Sequence, residues 1–491
     1  MTHAEATATA HKPCSRRRGT FRRWQRHLRT FGSLTAASQV ESALSFAITA
    51  TLVRQVGSAE AGKVLLAQSM ATVWFLLWDP RFEDAQQRFV PREQRRGFGR
   101  GTRLYRRLLR LDIAAGLLAT VVGVASALAA AALGWVSAGW LMLLVPAVLA
   151  AGAATPTGSA SAGFAIADRL SQLGVIRLAL AVFGCLVTVP ALLTIGTVGY
   201  LVATVITGLV YTVVVTVLAC RQVCRKCGPP SAGPVPAPPG LVPFLMKSSA
   251  TGSVSLASDS GISLLAGLLG GPTLVTYLKI AGAPGRLLAS FVNPVAAQLH
   301  PRLSRAAAAQ GGRATVMRDV LTSSALTGGV GLVALVAVAS LLSLFLSLVY
   351  GPEYTVLSTA AAVMLAGAAL RGTVVWAKVL PSALGFPGVR LIFVTVEGVC
   401  QLGMLVGVIQ LCAGALCSTA AFAWGSLGLL SLSMASWFLV LWFLLRSPTD
   451  PDTPAEPGST VDAPGAHAAA EKAGHGPPSS PRRRTEPETA P

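Results

Sequence analysis

Six ionisable side chains, Glu41, Asp259, Lys279, Arg286, Arg371 and Glu397, stand inside sequence that is otherwise apolar. The segment TYLKIAGAPGRLLASFVNP, residues 276–294, is the sharpest case, with Lys279 and Arg286 separated by Gly282, Pro284 and Gly285. A charge at bilayer depth costs a few kcal/mol or more, so it needs a partner, a wet cavity or a ligand. Lys279 and Arg286 are almost two helical turns apart and share a helix face. A cation on a cavity-lining face beside a helix-breaking Gly-Pro-Gly suits an anionic ligand such as a phosphate. The competing reading is a packing kink with no ligand.

The elements that must position these groups are membrane spans. The chain of 491 residues is 53% hydrophobic and 12% charged, with mean hydropathy +0.61. A soluble domain carries about 25% charged residues. Apolar runs long enough to cross a bilayer as a helix fall near 32–54, 61–79, 111–133, 139–164, 174–195, 198–219, 243–269, 273–299, 319–349, 354–380, 390–411 and 420–445. The alternating ten-residue segments of a membrane β-barrel are absent. The expected fold is therefore all-α and polytopic, with about 12 transmembrane helices.

The net charge of +20 follows the same topology. Lys and Arg number eight in 1–32, ten in 80–110, four in 220–247, four in 300–318 and five from Arg446 to the end. The turns on the other side hold none, apart from Arg54 and Lys63 flanking the first. This positive-inside pattern places both termini in the cytoplasm of a multi-pass cell-membrane protein and removes the reason to invoke nucleic acid.

Depth along the spans pairs the charges. Glu41 lies about 14 Å from the inner end of the first span. Asp259 and Lys279 flank a shared outer turn at comparable depth, and Arg371 and Glu397 flank an inner turn in the same way. One reading is structural pairing, Asp259 with Lys279 and Arg371 with Glu397. The other is a polar cavity at the interface of two halves, in which Arg286 and Glu41 have no assigned partner.

No enzyme signature is present: Walker A, HExxH and GxSxG patterns are missing, and GFGRG at 97–101 lacks the lysine of a phosphate loop. Metal and cofactor sites are not expected. Cys224 and Cys227 form a CxxC beside Cys220, without a second CxxC or a nearby His, and read as reduced thiols. The Arg-rich loop 80–110 enforces topology and grips anionic membrane lipid; a further option is that it gathers a pyrophosphate-bearing lipid.

Residues 1–30 read as a basic cytoplasmic tail with an interfacial helix, 31–220 as a six-helix bundle, 221–241 as a Pro/Gly-rich linker, 242–446 as a second six-helix bundle, and 447–491, with ten prolines, as a disordered tail. The bundles show self-similarity at an offset of 213 residues, which sets Leu52 on Leu265, Gly57 on Gly270, Leu65 on Leu278 and Arg177 on Arg390. A parallel duplication of this kind is a transporter layout.

These segments resemble the polysaccharide biosynthesis and oligosaccharide flippase proteins of the O-antigen flippase type. That family lies in the multidrug/oligosaccharidyl-lipid/polysaccharide exporter superfamily, together with lipid II flippases and multidrug and toxic compound extruders. ATLVRQVGSAEAGKVLLAQSM is similar to the family's Arg-x-x-Gly-x-x-x-x-Gly turn, carried by Arg54, Gly57 and Gly62. WDPRFEDAQQRFVP looks like the following loop, with Asp79-Pro80 departing from the common Asp-Leu-Gly. GLLGGPTLVTYLKIAGAPGRLLASFVNPVAAQLHPRLS (267–304) and LVYGPEYTVLS (348–358) repeat the resemblance in the second half.

The resemblance implies a twelve-span, two-bundle carrier that alternates between inward- and outward-open states and is not an enzyme. Its expected substrate is a polyprenyl-pyrophosphate-linked oligosaccharide for exopolysaccharide or cell-envelope synthesis, moved with coupling to a proton or sodium gradient. It implies pyrophosphate binding at Lys279, Arg286 and Arg371, with Glu41, Asp259 and Glu397 left to ion coupling or structural pairing. Glycan polymerase or glycosyltransferases are the expected protein partners. Two alternatives remain open: a cation-coupled multidrug or metabolite exporter of the same fold, using Glu41 and Asp259, and a non-transporting scaffold.

Overall fold

The computed structural model of the chain describes the backbone of residues 16–231, 233, 236–307, 312–383 and 387–446. Side chains are described from 38 to 443, apart from 250–259, 304–314 and shorter stretches near 234, 247, 297 and 384. Residues 1–15, the tail 447–491 and the side chain of Asp259 lie outside the described residues.

Every regular element among the described residues is helical: α1 (Arg16–Trp78), α2 (Phe82–Arg96), α3 (Arg100–Ala132), α4 (Ala138–Ala154), α5 (Thr157–Ile166), α6 (Leu170–Ile195), α7 (Thr197–Cys227) and α8 (Leu241–Gly270). There follow α9 (Pro272–Ala307), α10 (Gly312–Ala339), α11 (Leu342–Val349), α12 (Ser358–Thr373), α13 (Leu380–Ala383), α14 (Pro387–Leu411) and α15 (Ala415–Arg446), with 3₁₀ turns at Pro352–Leu357 and Val375–Lys378. Helix is what lipid permits, because each backbone N–H and C=O must be satisfied within its own segment. Nine stretches among the described residues are long and apolar enough to cross a membrane. The first of them, Ser38–Arg96, contains two spans joined at Gly57, and the more polar α8 and α9 complete a set of twelve.

One end of the helices carries the basic segments and the other is poor in charge. At the charge-poor end each hairpin turns at a glycine with positive φ: Gly57, Gly134, Gly196, Gly271, Gly351 and Gly414. Gly57, at φ 76, is the point where α1 reverses direction, a conformation that a Cβ disfavours. Its counterpart in the second half is Gly271, at φ 84, and not the Gly270 paired by sequence alignment. The turns are therefore 214 residues apart, one more than the sequence offset, because one residue of slip leaves an apolar pattern nearly intact but moves the turn.

The halves meet where α1 packs on α8 and α9. At the charge-poor end this seam is backbone-close. A Cβ built on Gly62 would sit 1.9 Å from the Pro272 carbonyl oxygen, and Leu66 fills the space beside Gly267. Thr276 Oγ1 donates to the Ser58 carbonyl at 2.7 Å, and Arg54 Nη1 donates to the Leu348 carbonyl at 3.2 Å. Below the seam Phe46 stacks on Phe345 and meets Tyr350 edge-on, both with ring centroids 5.5 Å apart.

The basic end is folded, not looped. Phe82, Ala85, Phe89 and Val90 recur at helical spacing and bury one face of α2. Glu93 is buried there between Arg96 at 2.6 Å and Arg100 at 3.2 Å. From α2, Phe89 meets Phe244 of α8 at 5.7 Å and Arg88 lies 4.7 Å over the same ring. Ser249 Oγ donates to the Asp79 carbonyl at 3.0 Å, while the Asp79 carboxylate accepts from the Arg81 amide at 2.9 Å. The start of the Pro/Gly segment is tied down as well. Thr102 donates to the Gly228 carbonyl at 2.8 Å, and the Ser231 amide donates to the Gly99 carbonyl at 3.2 Å.

Candidate functional site

Lys279, Arg286 and Arg371 are brought to one cavity of about 460 Å³, which also receives Lys378. Its walls come from α8, α9, α12, α14, α15 and the 3₁₀ turn at Val375–Lys378, all between Ile262 and Leu430. The cavity thus lies inside the second half. A polar cavity at the interface of the halves was one of two expectations from sequence; at that interface α1 packs on α8 and α9.

Local sequence makes the space. Gly285 lets α9 approach α12 to the point where a Cβ would stand 3.1 Å from Ala368 and 3.3 Å from the Met364 carbonyl. Gly282 serves the cation itself, since a Cβ there would lie 2.9 Å from Arg286 Nη1. The guanidinium therefore lies back over Gly282, and Nη2 donates to the Lys279 carbonyl at 2.6 Å. Arg286 is thereby held by its own helix, a partner that counting residues from the turn does not reveal. α9 runs through Pro284 as one helix.

Arg371 donates through Nη2 to Glu397 Oε1, and Ser433 Oγ donates to Glu397 Oε2 at 3.2 Å, so α12, α14 and α15 are joined through one carboxylate. A second cavity of about 210 Å³ adjoins the first, sharing Arg371, Lys378 and Gln401 and adding Arg390 and Glu397. Together the two walls present five cations and one carboxylate among the described residues. Ser426 Oγ is buried in the larger wall without a hydrogen-bond partner and can donate to a ligand.

Glu41 is placed elsewhere. It accepts from Arg177 Nη2 of α6 at 2.6 Å, so the carboxylate without an assigned partner in the sequence has one. Asp259 belongs to α8, and its pairing with Lys279 falls outside the described side chains. Lys378 was missed although it lies within the span 354–380; a count of every cation inside that span finds it. Gln401 and Ser426 carry no signal in the sequence beyond polarity within an apolar run.

What this arrangement can do is hold a multivalent anion. Four cations line the larger cavity, no carboxylate among the described residues does so directly, and the volume is that of a headgroup-sized ligand. Among its described lining residues none pairs a nucleophile with a base.

No protein-family model matches the chain, and no curated protein matches it in sequence. Its fold does match solved structures. The lipid II flippase MurJ in an inward closed conformation aligns with TM-score 0.62 at 12% identity, covering 83% of this chain and 87% of that one. An outward-facing multidrug resistance MATE family transporter of the MOP superfamily aligns with TM-score 0.59 at 13% identity, over 85% and 96% of the two chains. A Vibrio cholerae MATE transporter gives 0.59 at 11%, over 86% and 97%. With its six glycine-turned hairpins, the chain has the twelve-helix, two-lobe membrane fold shared by the MATE transporters and MurJ.

Proposed function

We propose that this protein is a flippase for a polyprenyl-pyrophosphate-linked oligosaccharide in the cytoplasmic membrane, of the O-antigen flippase type. The observation that carries the reading is the cavity lined by Lys279, Arg286, Arg371 and Lys378. A pyrophosphate offers charge and acceptor oxygens that match a wall carrying four cations. The lipid II flippase among the structural neighbours supports a lipid-linked substrate. In this reading the basic end faces the cytoplasm with both termini, in accord with the positive-inside rule. The half formed by 31–220 rocks against 242–446, exposing the site alternately to the two leaflets. The glycan feeds exopolysaccharide or cell-envelope assembly, with glycosyltransferases or a polymerase as partners.

The test is Lys279→Gln with Arg286→Gln in one chain, reconstituted in vesicles with a fluorescent polyprenyl-pyrophosphate glycan. Flipping falls at least tenfold while insertion and melting stay unchanged. Flipping at the rate of the unmodified protein refutes the assignment.

The MATE neighbours favour a second reading, a cation-coupled multidrug exporter. Its proton or sodium site would use Glu41 and Asp259. Drug sensitivity of a deletion strain with normal surface glycan selects this reading; loss of glycan with normal drug tolerance selects the first.

A further inference from the structure

Arginines at the basic end fall into two groups. Arg81 faces Asp79 and Glu83, and Arg96 and Arg100 flank Glu93. Arg103, Arg106, Arg107 and Arg110 of α3 form a row of their own. Their spacing of three, four and seven residues stacks them along one helix face over a rise of about 10 Å. They line a cavity of about 790 Å³ together with Ser231, and among the described residues neither Asp nor Glu contributes to its wall. Arg103 Nη1 donates to the Ser231 carbonyl at 2.5 Å, and Arg106 Nη2 approaches Cys224 Sγ at 3.1 Å, which orients the inner pair. Arg107 and Arg110 are exposed. The nearest carboxylate in sequence, Asp112, is buried and accepts from Ser159 Oγ at 2.5 Å.

The same helix then changes character. Leu111 and Ala114 close the cavity, and exposed Leu117, Leu118 and Val121 continue up α3. Cations followed by an exposed apolar stripe match a phospholipid read from phosphate to acyl chain. Charges that only set membrane orientation need no concave wall and no fixed partners; these have both.

We infer that this face of α3 is a binding site for an anionic phospholipid, its phosphate held by Arg106, Arg107 and Arg110 and an acyl chain laid along Leu111 to Val121. The site lies in the first half, remote in sequence from the substrate cavity, and does not rest on the proposed transport activity.

The experiment is native mass spectrometry of the full chain in neutral detergent, titrated with phosphatidylglycerol and, separately, with phosphatidylcholine and inorganic phosphate. One phosphatidylglycerol binds saturably, and Arg107→Gln with Arg110→Gln weakens it roughly 30-fold, about fivefold per arginine removed. The control is Arg92→Gln with Arg95→Gln, two exposed arginines of α2 outside the cavity, which leaves binding unchanged. Arg110→Gln alone weakens binding about fivefold, so the proposal stays testable if the double variant folds poorly. Equal weakening by the control pair, equal binding of phosphatidylcholine, or binding of inorganic phosphate as tight as that of the lipid overturns the site.

Discussion

Gly62→Ala tests how the charge-poor end is held shut. The added Cβ would stand 1.9 Å from the Pro272 carbonyl oxygen and 2.4 Å from its carbon, both backbone atoms that no rotamer change can move. Ordinary van der Waals contact begins at 3.4 Å, so the two backbones must part by about 1.5 Å, more than a close-packed seam absorbs by relaxation. Overpacking of this kind costs about 1–3 kcal/mol. Under the proposed alternating access the strain exists only while the seam is closed, so it acts on the equilibrium between closed and open states, a shift of about 5- to 150-fold toward open. Thr276 lies within the same seam, fully buried, with its hydroxyl on the Ser58 carbonyl. A Thr276→Cys thiol should therefore react with an impermeant maleimide only when the seam opens. The rate is compared with that of Thr276→Cys alone, which carries the same native thiols. Gly184→Ala supplies a control, since a Cβ there meets nothing within 4 Å. Labelling in Gly62→Ala should rise at least fivefold and transport should fall, with the protein still inserted. Labelling no faster than in the Gly184→Ala control would refute the argument that close backbone approach holds this end closed.

Arg371→Gln and Glu397→Gln should show coupling of about 0.5–1 kcal/mol in a double-mutant cycle of unfolding in detergent, the modest value of a half-exposed pair; additive effects would show that the pair does not bind α12 to α14. Glu41→Gln and Arg177→Gln should lower the melting temperature by similar amounts, and the double variant should be no worse than either; a loss of ion dependence without loss of stability would instead make Glu41 a coupling group. Phe244→Ala removes the partner of Phe89 and Arg88 and should cost about 1–2 kcal/mol, read as faster labelling of Ser249→Cys from the basic end. Ser426→Ala removes a buried hydroxyl that has no partner, so it should leave stability equal or slightly raised while weakening substrate; a clear loss of stability would show that the hydroxyl is structural.

The spans, the charge-poor turns and the facing of Arg371 and Glu397 were legible because they depend on quantities that run along the chain. Apolar length gives spans, and equal distance from a turn gives equal depth. What depth cannot give is azimuth. Lys279, Arg286 and Arg371 were placed at a plausible height, but whether their faces turned to the seam or into the second half depends on how α9 rotates against α12. That rotation is set by close contacts at Gly285. Arg177 was visible only as a repeat match to Arg390, because nothing local states that α6 lies beside α1. Asp79-Pro80 read as a departure from a motif; its carbonyl receives Ser249 and its carboxylate caps the turn at Arg81, which is tertiary information. Loop 80–110 was weighed as charge, although its Phe82, Phe89 and Val90 already carried the period of a buried helix face.

The two halves use similar helices for different electrostatics. In the first half Glu41 neutralises Arg177, and buried Asp112 is held by Ser159. In the second half Arg390 lines a cavity with Arg371 and Lys378, and Glu397 is the carboxylate among the described residues of that wall. Arg177 and Arg390 occupy matching places near the starts of α6 and α14, yet the first is paired with a carboxylate and the second joins a cationic wall. Both halves carry the arginine, so the difference lies in the partners. Glu41 on α1 has Val254 as its counterpart 213 residues on, and Ser255 at the 214-residue offset of the turns; neither is an acid. The second-half arginine instead shares a wall with Arg371, Lys378 and Glu397. The two halves thus differ in the electrostatics of matching helices, and under the proposed transport function a substrate held in the second half is released when the seam at Gly62 opens.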